Sequence, residues 1–468
     1  MKRIISSILL VVLMLTCTIG ALTSCDLFGG GGGGNSSDFV MPEGGFDTTT
    51  PVTIKFYHQM GKNLQDVLNI AIEDFRKIYP NITVEHASYG DYDGVRDQIK
   101  NDISVGDQPN IAYCYPDHVA LYNVAGAVQT LDVFIDDPTY GFTAAQKADF
   151  IEGFYSEGMA FGDGKMYSLP VSKSTEVLFY NKTFFEENNL TVPTNWDEME
   201  AVCRAIKAID PTSIPLGYDS SANWFITMCE QSGSGYTSAT GDNFLFDNAT
   251  NKAFIKKFQT WYKDKLVTTE GLNGKYTSSL FTATTGTKSY MCIGSTGGTT
   301  YQTPGFNNGK YAFEVGIAAV PQVNASAPKV ISQGPSICVF KDSNPQEVLA
   351  SWLFVKFLTT DVTFQGAVSM TNGYTPVIKS VQNDPAYKAF LDAADENPTA
   401  NLQAYSVKVS LAQASSYYSS PAFNGSSAAR DQVGILLDHL ISQDSLTDEY
   451  IDQKFKEAVD QCKFQAGQ

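Results

Sequence analysis

Apolar residues alternate at Val52, Ile54 and Phe56, a period of two that predicts a strand with one buried face. Leu64, Leu68, Ala71 and Phe75 then recur at helical spacing until Tyr79-Pro80 stops the run. Ile82 and Val84 restart a strand, Val95, Ile99 and Ile103 share one face of a second helix, and Pro109 to Tyr115 reads as a third strand. This β-α-β-α-β order predicts a mostly parallel sheet with helices on both faces. Ligands of such open sheets sit beyond the carboxyl ends of the strands. That geometry singles out His58, Gln59 and Met60 after the first strand, Tyr89 to Tyr92 after the second, and Tyr115 to His118 after the third.

Farther on, Pro193 to Glu198 opens a helix with Thr194 as the expected N-cap and Asp197 three positions on. Phe254, Phe258, Trp261 and Leu266 keep helical spacing, as do Leu349, Leu353 and Phe357, so Trp196, Trp261 and Trp352 are expected in cores. Trp224 instead follows the polar turn Asp219 to Asn223, which makes it a candidate for lining a cleft.

The stretch Gly164 to Lys182, GKMYSLPVSKSTEVLFYNK, joins two bodies: Gly164 and Pro170 mark turns, and Val177 to Tyr180 form an apolar run of buried-strand type. Gly-Lys-x-Tyr-x-Leu-Pro followed by Tyr180-Asn181-Lys182, with Pro193 to Trp196 beyond, resembles the first inter-lobe crossing of extracellular solute-binding proteins of ABC-type importers. The resemblance runs from about Val52 to the C-terminus. It implies an α/β, two-lobed periplasmic-binding-protein-like fold of type II with three inter-lobe crossings, the later two near 331–336 and 372–376. Lobe 1 is then expected over 51–170 plus 335–375, and lobe 2 over 171–334 plus 376–468. Lobes joined by several hinge strands can rotate toward one another around a ligand.

Within that family the chain looks closest to the branch of sugar and glycerol-phosphate binders. Tyr92 and Ser174 match pocket residues of the branch, and Ser295 or Thr296, Gly334 and Tyr374 fall on its other pocket motifs. Two positions depart from it. Pro116 stands where an acidic residue is expected, with Asp117 one step later. Ala422 stands where the phosphate-pairing arginine is expected, and Arg430 matches a different, helical arginine. The resemblance therefore implies a neutral saccharide or polyol, with a glycerol phosphate as the alternative.

Charge and composition narrow the partners. The 468 residues are too many for one core and suit two lobes. A net charge of −18 repels nucleic acid and anionic membrane surfaces. Lys2 and Arg3 before the apolar run Ile4 to Ile19 predict an export signal over 1–24. Leu22-Thr23-Ser24-Cys25 resembles a bacterial lipobox, which implies lipid attachment at Cys25 and anchoring outside the cytoplasm. Gly29 to Gly34 and the serines after them give 25–50 the composition of a flexible tether. Six cysteines remain beyond Cys25, none in a C-x-x-C pair; widely spaced and mostly in apolar surroundings, they suit buried small side chains at least as well as bridges. The four histidines match no metal-ligand spacing, and neither a cofactor nor a metal is expected.

Sugar rings present flat C–H faces and arrays of hydroxyls, which call for aromatic plates beside amides and carboxylates. Tyr57, Tyr89, Tyr92, Tyr115, Trp224, Tyr236 and Tyr374 are candidate plates, and Gln59, Asp91, Asp117, Glu176 and Asn223 candidate polar contacts. The expected role is capture by a monomer and delivery to ABC permease subunits, without catalysis. A rival of another class is a secreted glycan-active enzyme, which needs a carboxylate pair. A third is a surface lipoprotein with a protein partner. No G-x-S-x-G, H-E-x-x-H or Walker loop occurs; Gly294 to Gly298 is glycine-rich but lacks the lysine of a phosphate loop.

Overall fold

Val52, Ile54, Phe56 and His58 are buried while Thr53 and Lys55 are exposed, so the alternation in the sequence becomes strand β1, Val52–His58. The computed structural model describes residues 39–468; the expected export signal, the expected lipobox and Cys25 lie outside the described residues. Helix α1 (Lys62–Ile78) buries Leu64, Leu68, Ala71 and Phe75, the four positions its spacing predicts. Strand β2 (Ile82–Ser88), helix α2 (Tyr92–Val105), strand β3 (Ile111–Cys114) and helix α3 (Pro116–Asn123) complete the expected order.

The first sheet runs β2-β1-β3-β14-β4, with β5 also on β14, where β4 is Val128–Gln129, β5 Leu169–Pro170 and β14 Ser336–Phe340. Its β1 ladders are parallel and its β14 ladders antiparallel, because β14 enters from the other lobe rather than through a crossover helix. The next strands are β6 (Ser174–Asn181), β7 (Leu216–Tyr218), β8 (Val267–Thr269), β9 (Met291–Ser295), β10 (Phe306–Asn307), β11 (Lys310–Tyr311), β12 (Val315–Ala318), β13 (Val330–Gln333) and β15 (Tyr417–Tyr418). The second sheet runs β15-β13-β6-β9-β7-β8, with β12 also on β6, and β10 pairs with β11 alone. Each sheet carries its own aromatic-rich core: Phe56, Phe134 and Trp352 in the first, Trp196, Trp224 and Trp261 in the second.

The crossings lie side by side. The chain leaves β5 for β6 through Val171–Lys173 and returns from β13 to β14 through Gly334-Pro335, and Lys173 pairs with Thr375, where the third crossing is expected. Gly334 has φ +92, and a Cβ there would lie 2.6 Å from the Ser172 carbonyl oxygen, so only glycine fits where two crossings touch.

Four expectations change in detail. The sheets are mixed rather than mostly parallel, since the β14 ladders of the first and the β6 ladders of the second are antiparallel. The stretch after Pro376 does not pass directly into the second lobe: Val377, Ile378, Val381 and Tyr387 pack in the first core, and Phe150 bridges Ile378. The second lobe is reached through the helix Leu402–Ala412, whose Leu402 packs beneath β6 and β12. The stretch expected as a tether does not extend to residue 50, since Phe46 is buried and Gln346 brackets it, accepting from the Asp47 amide at 2.9 Å and donating to the Gly45 carbonyl at 3.0 Å. The cap at Thr194 moves one residue on. Asn195 accepts from the Glu198 amide at 2.9 Å, while the Glu198 carboxylate accepts from the Thr194 amide and hydroxyl, each at 2.8 Å.

Candidate functional site

Strand ends of both sheets face a cleft of about 800 Å³. On the first lobe, Gln59 follows β1, and Asp91 follows β2 and caps α2 by accepting from the Gly94 amide at 2.7 Å. That cap fixes the first turn of α2 and so aims Tyr92 into the cleft. Tyr115 follows β3, with Pro116 starting α3 behind it. The Tyr92 and Tyr115 rings lie 4.4 Å apart at 39°. Tyr374 joins them from the turn after the helix Val362–Asn372, held by Gly373 at φ +79 and by Gly297, whose missing Cβ would lie 2.9 Å from Tyr374 Cε1. Together the three tyrosines make an aromatic wall.

The second lobe supplies a polar wall. Glu176, on β6, accepts from the Tyr218 hydroxyl at 2.6 Å and from Asn223 Nδ2 at 2.8 Å. The same Asn223 nitrogen reaches Gln333 Oε1 at 2.9 Å, and Asn223 Oδ1 accepts from Arg430. Asp219 accepts from the Thr277 amide and hydroxyl at 2.7 and 2.6 Å. Burial raises Glu176 to about 7, partly offset by Tyr218, Asn223 and Arg430; burial raises Asp219 as well, against the pull of Thr277. Tyr276 and Tyr301, 62% and 76% exposed, form the rim on this side.

Among the residues singled out from the sequence, Gln59, Tyr92, Ser174, Ser295, Gly334 and Tyr374 all line this cleft. Thr296 does not: it is fully buried, and its hydroxyl accepts from the Thr175 amide at 3.3 Å, holding the turn that Ser295 opens by accepting from the Gly297 amide. Trp224 is also fully buried, stacked on Tyr218 at 5.2 Å and against Phe258 at 4.1 Å, and belongs to the core. Asp117 lines a smaller chamber next to the cleft. Ala422 is buried and brings no charge to the site.

Several cleft residues were outside that set or only in the wider pool: Tyr115, Glu176, Asn223, Gln333 and Arg430. Arg430 carried a readable signal. It lies four residues after Ser426 and three before Val433, both buried, so helical periodicity puts an arginine on an inward stripe of the helix Ser426–Ile441. Tyr276 and Tyr301 carried none, since each stands in a loop or short turn without periodicity.

Nothing in the cleft suggests a metal centre, and among the described residues no cluster of three or more His, Cys, Asp or Glu side chains could hold one. The six described cysteines, Cys114, Cys203, Cys229, Cys292, Cys338 and Cys462, are free and buried.

A family model described as bacterial extracellular solute-binding protein matches residues 71–397. A multiple sugar-binding protein of Streptococcus mutans is 28% identical over 165 residues, 35% of this chain, and the match spans only 36% of that relative's length. A maltotriose-binding protein of Pyrococcus abyssi is 23% identical over 348 residues, covering 72% of this chain and 68% of the relative. In fold, the chain is similar to a Mycobacterium tuberculosis protein solved in complex with glycerophosphocholine, with a TM-score of 0.70, 16% identity, and coverage of 89% of this chain and 98% of the other.

Proposed function

We propose, from the premise that this chain belongs to the bacterial extracellular solute-binding proteins, that it captures a carbohydrate between its lobes and delivers it to the permease of an ABC importer. One observation carries the ligand class: the aromatic wall of Tyr92, Tyr115 and Tyr374 faces the hydrogen-bonded row of Glu176, Asn223 and Gln333 across a single cleft. Tyrosine faces suit the C–H faces of a sugar ring, while carboxylates and amides suit its hydroxyls. The sugar-binding relatives support the same class.

The mechanism is closure without chemistry. A ligand that touches both walls stabilises the arrangement in which they face each other, by as much as it binds that arrangement better than an opened one. Export and lipid attachment at Cys25 would hold the receptor at the outer face of the membrane as a monomer on a short tether.

Arg430 gives weight to a second reading. It is a cation in the cleft, and a phosphodiester such as a glycerophosphate derivative could pair with it. Against this, Glu176 and Asp219 line the same cleft, and Asp117 faces Arg430 from the adjoining chamber.

Thermal unfolding of the protein with mono- and oligosaccharides, polyols and glycerol phosphates separates these readings, provided each compound is recovered and analysed afterwards. A saccharide at 100 times its dissociation constant should add roughly 2.7 kcal/mol of stability. A response to glycerol phosphates alone would replace the carbohydrate reading, and chemical conversion of the compound would replace capture with catalysis.

A further inference from the structure

Arg430 is a wall shared between the cleft and a second space behind it, a chamber of about 60 Å³ that Tyr115 and Gln333 also border on both sides. Asp117, Tyr236 and Ser420 stand around its interior. Tyr236 is 3% exposed, and its hydroxyl has no hydrogen-bond partner among the described residues; nor has Ser420 Oγ.

Two buried hydroxyls without partners are unfavourable in a folded protein, and side chains left so at the end of a binding cleft point to a missing third party. The other acid bordering the chamber, Glu157, is already taken: it accepts from Lys173, Ser332, Ser336 and Ser419. Arg430 gives one nitrogen to Asn223 and keeps further N–H donors of its fork. The chamber therefore offers a donor fork, a carboxylate and two hydroxyls that can play either role.

We propose that this chamber is the inner subsite of the cleft, taking a pair of neighbouring neutral hydroxyls at one end of the captured saccharide. This deepens the carbohydrate reading and rests on it. A hydroxyl accepts from Arg430 while donating to Asp117, so a diol satisfies both charges at once. A carboxylate or phosphate would satisfy Arg430 but face Asp117 with like charge. The volume admits a few water-sized groups, which fits a diol edge or a hydroxymethyl group and excludes a second ring. The remainder of the ligand then extends from Tyr115 along the aromatic wall toward Tyr276 and Tyr301.

The test uses Tyr236→Phe and Ser420→Ala, each of which deletes an oxygen with no partner among the described residues, so unliganded melting temperatures should match the wild type. Titration calorimetry on the whole protein with glucose, maltose, maltotriose, xylobiose and sn-glycerol 3-phosphate gives the readout. For every sugar that binds the wild type, Tyr236→Phe should weaken binding at least tenfold and Ser420→Ala several-fold. Sugars that bind both variants as tightly as the wild type would leave the carbohydrate reading intact and overturn the subsite. Glycerol phosphate binding tighter than any sugar, and sensitive to Tyr236→Phe, would overturn the neutral diol. If none of the four sugars binds the wild type, reading and subsite fall together.

Discussion

Lys173 and Glu157 form an ion pair in which neither side chain is more than 3% exposed, at the point where the first two crossings meet. Lys173 lies on the first crossing and also donates to the Gly334 carbonyl and the Ser336 hydroxyl of the second, each at 3.0 Å. Its backbone also bridges Thr375. Glu157 belongs to the first lobe, yet it accepts from Ser332 and Ser419, which adjoin strands of the second sheet. One buried charge pair thus ties the hinge strands to each other.

Removing one member leaves the other charge buried and unpaired. Lys173→Met or Glu157→Gln should each destabilise the fold by about 3–5 kcal/mol. Changing both, to Met and Leu, should destabilise by clearly less than the sum of the two. Urea denaturation of the three variants measures this, and additive losses would show that the pair is not coupled.

Glu176 makes stability depend on pH in an unusual direction. Its carboxyl is raised from 4.5 to about 7, first because it is buried, against the opposing effects of Tyr218, Asn223 and Arg430. The folded state therefore holds a proton that the unfolded state has released between about pH 4.5 and 7. Its contribution is fully present below the unfolded value, falls through this window, and is absent above about 7, a change of roughly 3 kcal/mol. Glu176→Gln should flatten that part of the profile when urea midpoints are compared from pH 4 to 8. A wild-type profile with the same slope as the variant would refute the assignment.

The sequence carried the fold further than the site. Period-two and helical patterns placed β1, α1, β2 and α2 with their buried faces, and the Gln333-Gly334-Pro335 break marked a crossing that the backbone requires to be glycine. Strand-end geometry and the family resemblance brought Gln59, Tyr92 and Tyr374 to one cleft. The polar turn Asp219 to Asn223 points Trp224 toward a cleft in the sequence, yet Asn223 and, one helical turn on, Thr227 are both buried. Their partners, Glu176 for Asn223 and the Tyr418 hydroxyl for Thr227, are 47 and 191 residues away. Polar groups satisfied over such separations make a buried helix look amphipathic.

The core position of Trp224 predicts a separation of stability from binding. Trp224→Ala should destabilise the fold by about 3–5 kcal/mol, the usual range for a buried tryptophan. At a temperature where the variant is still folded, saccharide affinity should change less than threefold. A tenfold loss of affinity with unchanged unfolding would return Trp224 to the cleft.

The aromatic wall predicts the opposite split. Tyr92→Ala removes a ring 4.4 Å from Tyr115, and Tyr374→Ala removes the ring that closes over Gly297. Both side chains are only partly buried, so the loss of packing is modest, while a sugar stacked on the wall loses its plate. Each variant should bind the captured saccharide at least tenfold more weakly than wild type by titration calorimetry, with the far-ultraviolet circular dichroism unchanged. Gly297→Ala extends the same test without touching the ring itself. The added methyl would stand 2.9 Å from Tyr374 Cε1 and 3.0 Å from Cζ, closer than side chains tolerate, so the ring must swing away from the wall. Its affinity should fall in the same direction as in Tyr374→Ala, and a Gly297→Ala protein that binds like wild type would mean that Tyr374 does not have to hold its place for capture.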